Sequence, residues 1–210
     1  MTSTLFSRLM RPFSSTGGSL RVVENGSGGT DTKYEIATVA AGCFWGVEHK
    51  YRHTFQGKGL LDAKVGYTGG NTEDPNYRAV CGGRTGHAEA LQLTYDPTRL
   101  SYRTLLEYFY RIHDPTTLNA QGPDTGPQYR SAIFTHSAEQ EAVARDVTAR
   151  ANAEWWGGKI VTDVVPAGRW WGAEEYHQLY LDKNPGGYEC PTHFERKLAP
   201  LSRPEGESQL

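Results

Sequence analysis

Cys43 stands in the run Gly42-Cys43-Phe44-Trp45-Gly46, after a short apolar stretch and before a run with helical spacing. A cysteine at a helix start meets backbone N–H groups that lack partners and carry partial positive charge. That setting stabilises the thiolate, the nucleophilic form of sulfur. Gly42 and Gly46 bracket the thiol and allow a tight turn with close backbone approach. Phe44 and Trp45 offer aromatic surface that suits an apolar substrate group better than a charged one. A reductive thiol chemistry needs a second sulfur, and the chain offers two. Cys190 lies in the Gly-rich stretch Gly186-Gly187-Tyr188-Glu189-Cys190, and Cys81 lies beside Gly82-Gly83. Loop-closure entropy grows slowly with length, so the long separation of Cys43 from Cys190 is no obstacle. A hydrolytic or acyl-transfer chemistry instead pairs Cys43 with a histidine, and His87 is the candidate.

The elements that must position these groups are read from periodicity. Residues 34–41 are a mostly apolar run and predict a buried strand, ended by Gly42. Residues 45–55 predict a helix with Trp45, Val47, Tyr51 and Phe55 on its buried face. A strand over 60–67 closes at Gly69-Gly70, and a loop rich in Gly, Asn, Asp and Pro runs to about Gly86. Alternation over 87–95 predicts a third strand, ended by Asp96-Pro97. Ser101 is an N-cap candidate for a helix over 102–113, which Asp114-Pro115 stops. A Pro/Gly loop over 115–129 leads to a strand over 131–135. Ser137 and Gln140 have capping-box spacing and open a helix to about Trp155. A strand over 160–165 and a short helix over 174–182 follow, the latter stopped by Asn184-Pro185-Gly186-Gly187. The order from 34 to 135 is β-α-β-β-α-β. It predicts an α/β (α+β) fold of the ferredoxin-like split β-α-β kind, with an antiparallel-containing sheet, an extra helix and strand, and a coiled C-terminal tail.

Composition narrows the class. The 210 residues suit one domain with tails. A net charge of −2 gives no basic footprint for nucleic acid, and no apolar run is long enough for a membrane span. Three cysteines are too few and too odd in number for a secreted disulfide scaffold. Residues 1–23 carry Arg8, Arg11 and Arg21 without an acid, together with serines, threonines and spaced apolar residues. That pattern predicts a mitochondrial transit segment, the alternative being a mildly basic disordered tail. Residues 24–32 read as a flexible linker, 33–199 as the catalytic domain and 200–210 as a disordered end. The expected location is mitochondrial, cytoplasmic or both, and the chain is expected to act as a monomer.

The run Gly42-Cys43-Phe44-Trp45-Gly46 followed by Glu48 resembles the active-site motif of the A-type peptide methionine sulfoxide reductases. The resemblance extends in the family's order through Val65-Gly66-Tyr67-Thr68-Gly69-Gly70, Pro75-Asn76-Tyr77-Arg78, Cys81 and Thr85-Gly86-His87-Ala88-Glu89. It continues through His113-Asp114-Pro115, Gln128-Tyr129-Arg130-Ser131 and Tyr176-His177-Gln178, and spans about 34–195. It implies reduction of the S epimer of methionine sulfoxide, in proteins or free, as repair of oxidised proteins. Cys43 is implied as the nucleophile and Glu89 as the acid that protonates the departing oxygen, kept protonated by burial. Tyr77 and Tyr129 are implied as hydroxyl donors to the substrate oxygen, Asp124 as a carboxylate that orders the site, and Phe44 and Trp45 as the holders of the methyl group. Cys190 is implied as the thiol that condenses with the sulfenic acid of Cys43, and a thioredoxin-type dithiol as the reductant of that disulfide. The resemblance implies no metal or organic cofactor. It also favours a structural role for His87 and thereby disfavours the Cys–His hydrolase, while a non-enzymatic ferredoxin-like binding module gives no role to the Gly42-Cys43 turn.

Overall fold

The alternation of side chains along the strands sets the layers. The structure is a computed structural model, and it describes residues 34–203. Strand β1 (Glu35–Ala41) leads into helix α1 (Phe44–Phe55), strand β2 (Leu60–Thr68) and a short helix α2 (Tyr77–Cys81). Strand β3 (Ala88–Tyr95) and helix α3 (Tyr102–Ile112) follow, then a small hairpin of β4 (Ala120–Gln121) and β5 (Asp124–Thr125). Strand β6 (Ser131–Thr135), helix α4 (Ala138–Glu154), strands β7 (Asp163–Pro166) and β8 (Trp171–Gly172) and helix α5 (Tyr180–Lys183) complete the order. The large sheet runs β7-β6-β1-β3-β2-β8. Its pairings are antiparallel except β6 with β7, which is parallel. The inner order β6-β1-β3-β2 is the expected split β-α-β arrangement, with α1 and α3 as its crossovers.

Ala37, Val39 and Ala41 of β1 and Leu91, Leu93 and Tyr95 of β3 join one core with Val47 and Tyr51 of α1 and Leu105, Leu106 and Phe109 of α3. The intervening residues Ala40, Ala88, Ala90, Ala132 and Phe134 form a thinner layer on the opposite face, covered by Ala167 and Trp170. Small side chains are needed there because that cover lies close: a Cβ at Gly66 would stand 2.4 Å from the Trp170 ring. The same period of two puts Glu89 on the face that carries Leu91 and Leu93, beneath α1.

The caps act as the sequence suggests, with one difference. Ser101 accepts from the Thr104 N–H, and Ser137 accepts from the Gln140 N–H. The Gln140 carbonyl reaches back to the His136 N–H rather than to that of Ser137. Helix α2 falls within the stretch read as loop. Its five residues are too few for periodicity to show, and the Asn76 side chain, accepting from the Ala79 N–H, holds it. Strand β7 begins at Asp163 rather than at 160, because the Ile160 and Val161 N–H groups are taken by the Asn152 side chain and the Pro115 carbonyl.

The segment 174–182 is not one helix. A 3-10 turn (Glu175–His177) and α5 are separated at Leu179, whose φ is +55°. The Gln178 amide bonds both backbone groups of Val65, and the Leu179 N–H donates to Glu48 Oε2 at 2.8 Å. These anchors to β2 and α1 override helix continuation. The end read as disordered from 200 onward starts with fixed residues: Leu201 is buried and the Ser202 N–H donates to Glu154. The transit and linker readings over 1–32 and the end over 204–210 lie outside the described residues. Among the described residues no helix is long and apolar enough to cross a membrane.

Candidate active site

Strand β1 ends at Ala41, Gly42 turns at φ +87°, and Cys43 becomes the N-cap of α1. A Cβ at Gly42 would stand 2.5 Å from Gln121 Cβ, and one at Gly46 would stand 2.3 Å from His193 Nδ1. What approaches the backbone so closely is therefore protein: the β4 hairpin and the C-terminal tail. Cys43 is 7% exposed. Burial pushes it well above the ordinary thiol value, with the charges of Glu89, Asp124 and Cys190 acting in the same direction, while the Trp45 N–H lowers it. The helix-start stabilisation expected from sequence is present in that N–H, but desolvation outweighs it. Cys43 rests as a thiol, which corrects the expectation of a thiolate.

Glu89 is 1% exposed, and its Oε2 accepts from the Phe44 N–H at 3.1 Å. Burial raises its carboxyl from 4.5 to about 8, opposed by the Phe44 N–H and reinforced by Asp124. Glu89 is therefore a neutral acid at neutral pH, held by a helix-start N–H one residue from the nucleophile.

Tyr77 opens α2 and Tyr129 ends the 3-10 turn Pro127–Tyr129. Burial is the main cause that raises both phenols, and ionisation of Glu89, Cys81 or Cys43 would raise them further. Burial raises the partly buried Cys81 thiol, and the Tyr77 and Tyr129 hydroxyls act to lower it. The two tyrosines thus remain O–H donors beside Glu89 and Cys43. Asp124, in β5, accepts from the Tyr188 hydroxyl at 3.0 Å through Oδ1, while its buried Oδ2 has no hydrogen-bond partner.

The aromatic side of the site is larger than the sequence suggested. Phe44 is buried, with its ring 5.2 Å from His177 and 5.9 Å from Tyr67. Trp45 stacks on Tyr180 at 3.7 Å, and its Nε1 donates to His177 Nδ1 at 3.0 Å. That bond fixes the histidine as the tautomer with Nδ1 free to accept, and burial holds it below its ordinary pKa. Glu174 accepts from the Tyr67 hydroxyl at 2.8 Å and from the Tyr77 N–H at 2.9 Å. Sequence reasoning gave none of Tyr67, Glu174, His177 or Tyr180 a role. The motif Tyr176-His177-Gln178 was the available signal.

Cys190 is 1% exposed, and its thiol donates to the Gln121 carbonyl at 3.3 Å beside Thr192 Oγ1 at 3.2 Å. Burial and the Asp124 charge raise it, while Thr192 lowers it. The tail is pinned on both sides of this sulfur. Tyr188 reaches Asp124, Glu189 pairs with Lys50 at 2.8 Å, Thr192 donates to Gln121, and His193 Nε2 bonds the Ala41 carbonyl at 2.7 Å. All three cysteines are free thiols. His87 sits just before β3, where its ring accepts from the Gly70 N–H and bonds the Thr72 carbonyl. Both ring nitrogens are thereby spent on the 70–72 loop, which leaves His87 no base function toward Cys43.

The structure gathers Cys43, Glu89, Tyr77, Tyr129, Asp124, Phe44 and Trp45 around one end of α1, with the Cys190 tail folded onto the same region. A neutral acid, two hydroxyl donors and a buried thiol beside aromatics can bind an apolar group that carries a polar oxygen and protonate that oxygen. A family model described as peptide methionine sulfoxide reductase matches residues 35–209. A Schizosaccharomyces pombe protein described as a probable peptide methionine sulfoxide reductase is 52% identical over 164 residues, covering 77% of this chain and 96% of that protein. The crystal structure of Mxr1 from Saccharomyces cerevisiae in reduced form is similar with a TM-score of 0.76 and 46% identity, covering 80% of this chain and 95% of that one. Mxr1 in complex with Trx2 is similar with a TM-score of 0.55 and 32% identity, covering 80% and 94%.

Proposed function

The chain belongs to the peptide methionine sulfoxide reductase family, and from that premise we propose how its residues divide the reaction. The chain reduces methionine sulfoxide to methionine as a thiol oxidoreductase, and we assign it the S epimer at sulfur. The observation that carries the assignment of roles is the pair Cys43 and Glu89, a buried thiol beside a carboxyl held neutral up to about pH 8. Phe44, Trp45 and the aromatic wall around His177 receive the methyl thioether end. Tyr77 and Tyr129 donate to the sulfoxide oxygen, and those bonds strengthen as its charge grows.

As Cys43 sulfur bonds to the sulfoxide sulfur, the oxygen takes the Glu89 proton and the thiol proton replaces it on Glu89. The hydroxyl then passes to Cys43 sulfur as the bond from substrate sulfur to oxygen and the bond between the two sulfurs both break, which leaves Cys43 as a sulfenic acid and releases methionine. Thiol plus sulfoxide thus gives sulfenic acid plus thioether, with Glu89 returned to its starting state. The Cys190 thiol displaces water from the sulfenic acid and forms the Cys43–Cys190 disulfide. A thioredoxin-type dithiol reduces it by exchange, a role supported by the likeness to Mxr1 solved with Trx2. The cellular site rests on residues 1–23, whose composition supports the mitochondrion beside the cytoplasm.

The direct test is an assay of the purified chain on the separate S and R sulfoxides of a blocked methionine with dithiothreitol. S-specific conversion is expected, and conversion of R alone or of neither overturns the reading. Glu89→Gln separates catalysis from stability. The amide still donates a hydrogen bond but delivers no proton, so single turnover should slow by about 10–100-fold. Stability should move the other way. A carboxyl raised on folding favours the native state only where it is protonated, so wild-type stability falls as pH climbs from 4.5 through about 8. That interval corresponds to about 4–5 kcal/mol at about 1.36 kcal/mol per pH unit. Urea titrations should show Glu89→Gln close to wild type at pH 5 and clearly more stable at pH 9. Equal pH dependence in both proteins contradicts the buried neutral acid.

A further inference from the structure

We propose that His49, His53 and Asp182 form a binding site for a divalent transition cation of the zinc class. His49 and His53 lie one turn apart on α1, so their rings share one face of the helix, with centroids 4.0 Å apart. Asp182, on α5, meets both: its Oδ1 is 2.9 Å from His49 Nδ1 and 3.2 Å from His53 Nε2. One ligand atom from each residue lies within 4.8 Å of the others. Tetrahedral zinc with bonds of about 2.0–2.1 Å sets its ligand atoms about 3.3–3.4 Å apart. The two Asp182 contacts meet that spacing with shifts of a few tenths of an ångström, and the two histidine nitrogens, within 4.8 Å of each other, reach it by ring rotation on the exposed helix face.

Chemistry and surroundings favour the same reading. Two imidazoles and a carboxylate are borderline donors that suit zinc, cobalt or nickel rather than calcium or magnesium. The two cations that flank the histidines on α1 are engaged elsewhere: Lys50 with Glu189, and Arg52 with Glu48 and Asp62. Asp182 is placed in advance, because α5 is held to α1 by the Trp45–Tyr180 stack and by the bond from Leu179 N–H to Glu48. His53 and Asp182 are exposed and His49 is partly so, which leaves an open fourth position for water. None of the three residues takes part in the sulfoxide chemistry, so the site stands or falls independently of that reading. A bound cation would tie the helix that starts at Cys43 to the helix that precedes the Cys190 tail.

The test uses the untagged full chain, titrated with cobalt chloride by absorption and with zinc chloride by calorimetry, and followed through the imidazole nitrogen resonances. One equivalent is expected, with the His49 and His53 resonances moving together and no sulfur-to-cobalt charge-transfer band. His53→Gln, His49→Gln and Asp182→Asn should each weaken that equivalent by at least about tenfold. Zinc should raise the melting temperature of the wild type by several degrees and leave His53→Gln unmoved. Uptake that shows a sulfur band and is unchanged in all three variants places the cation on the thiols and overturns the proposal, as does no uptake at millimolar metal.

Discussion

Cys43→Ser is expected to abolish methionine formation from the S sulfoxide, with dithiothreitol or thioredoxin, by at least about a thousandfold. The reason is the element and not only its acidity. The reaction moves oxygen onto the nucleophile, and sulfur accepts it as a sulfenic acid whereas a serine oxygen has no comparable oxidised form to reach. The variant should also stay folded. Residue 43 is the N-cap of α1 and its side chain makes no capping hydrogen bond, while serine is among the preferred caps. Its melting temperature should match or exceed that of the wild type, which separates lost chemistry from lost structure. Turnover within tenfold of wild type in a folded Cys43→Ser protein would instead move the nucleophile to Cys81 or Cys190.

The parts of this site that sequence reveals are those set by local pattern. Alternation over β3 gives the strand that carries Glu89, and the apolar run and glycine before Cys43 give the turn into α1. Ser101 and Ser137 announce their helices because a cap is a local bond. What stays hidden depends on contacts distant in sequence. Glu174 reaches back 107 residues to Tyr67 and 97 to the Tyr77 N–H, and neither spacing has a period to detect. The resting state of Cys43 is hidden for the same reason. A helix start is visible in sequence, but the burial that outweighs it is not, and the tail and the β4 hairpin that stand against Gly42 and Gly46 come from distant parts of the chain. The glycines invite a similar misreading. Their smallness is legible, yet whether ligand or protein fills the space is settled only by Gln121 and His193 standing there. The break at Leu179 shows tertiary anchoring through Gln178 and Glu48 overriding a locally plausible helix.

Cys190→Ser should leave single turnover near the wild-type rate while thioredoxin-supported turnover falls by at least about a hundredfold. Cys43 and its acid are untouched by this change, so one methionine per chain still forms. The block comes after it, because a thioredoxin-type dithiol exchanges with a disulfide and the variant makes none between 43 and 190. Dithiothreitol is small enough to reduce the sulfenic acid directly, and its turnover should fall only a few-fold. The setting of Cys190 makes the substitution a fair one: a serine hydroxyl can still donate to the Gln121 carbonyl and face Thr192, so the pinned tail is preserved. Cys81→Ser is the control. Cys81 closes α2, the short helix that Tyr77 opens, rather than lying on the tail. That variant should keep thioredoxin turnover within a few-fold of wild type. The reverse pattern, with Cys190→Ser active and Cys81→Ser stalled after one turnover, would transfer the resolving role to Cys81 and leave the bonds around Cys190 purely structural.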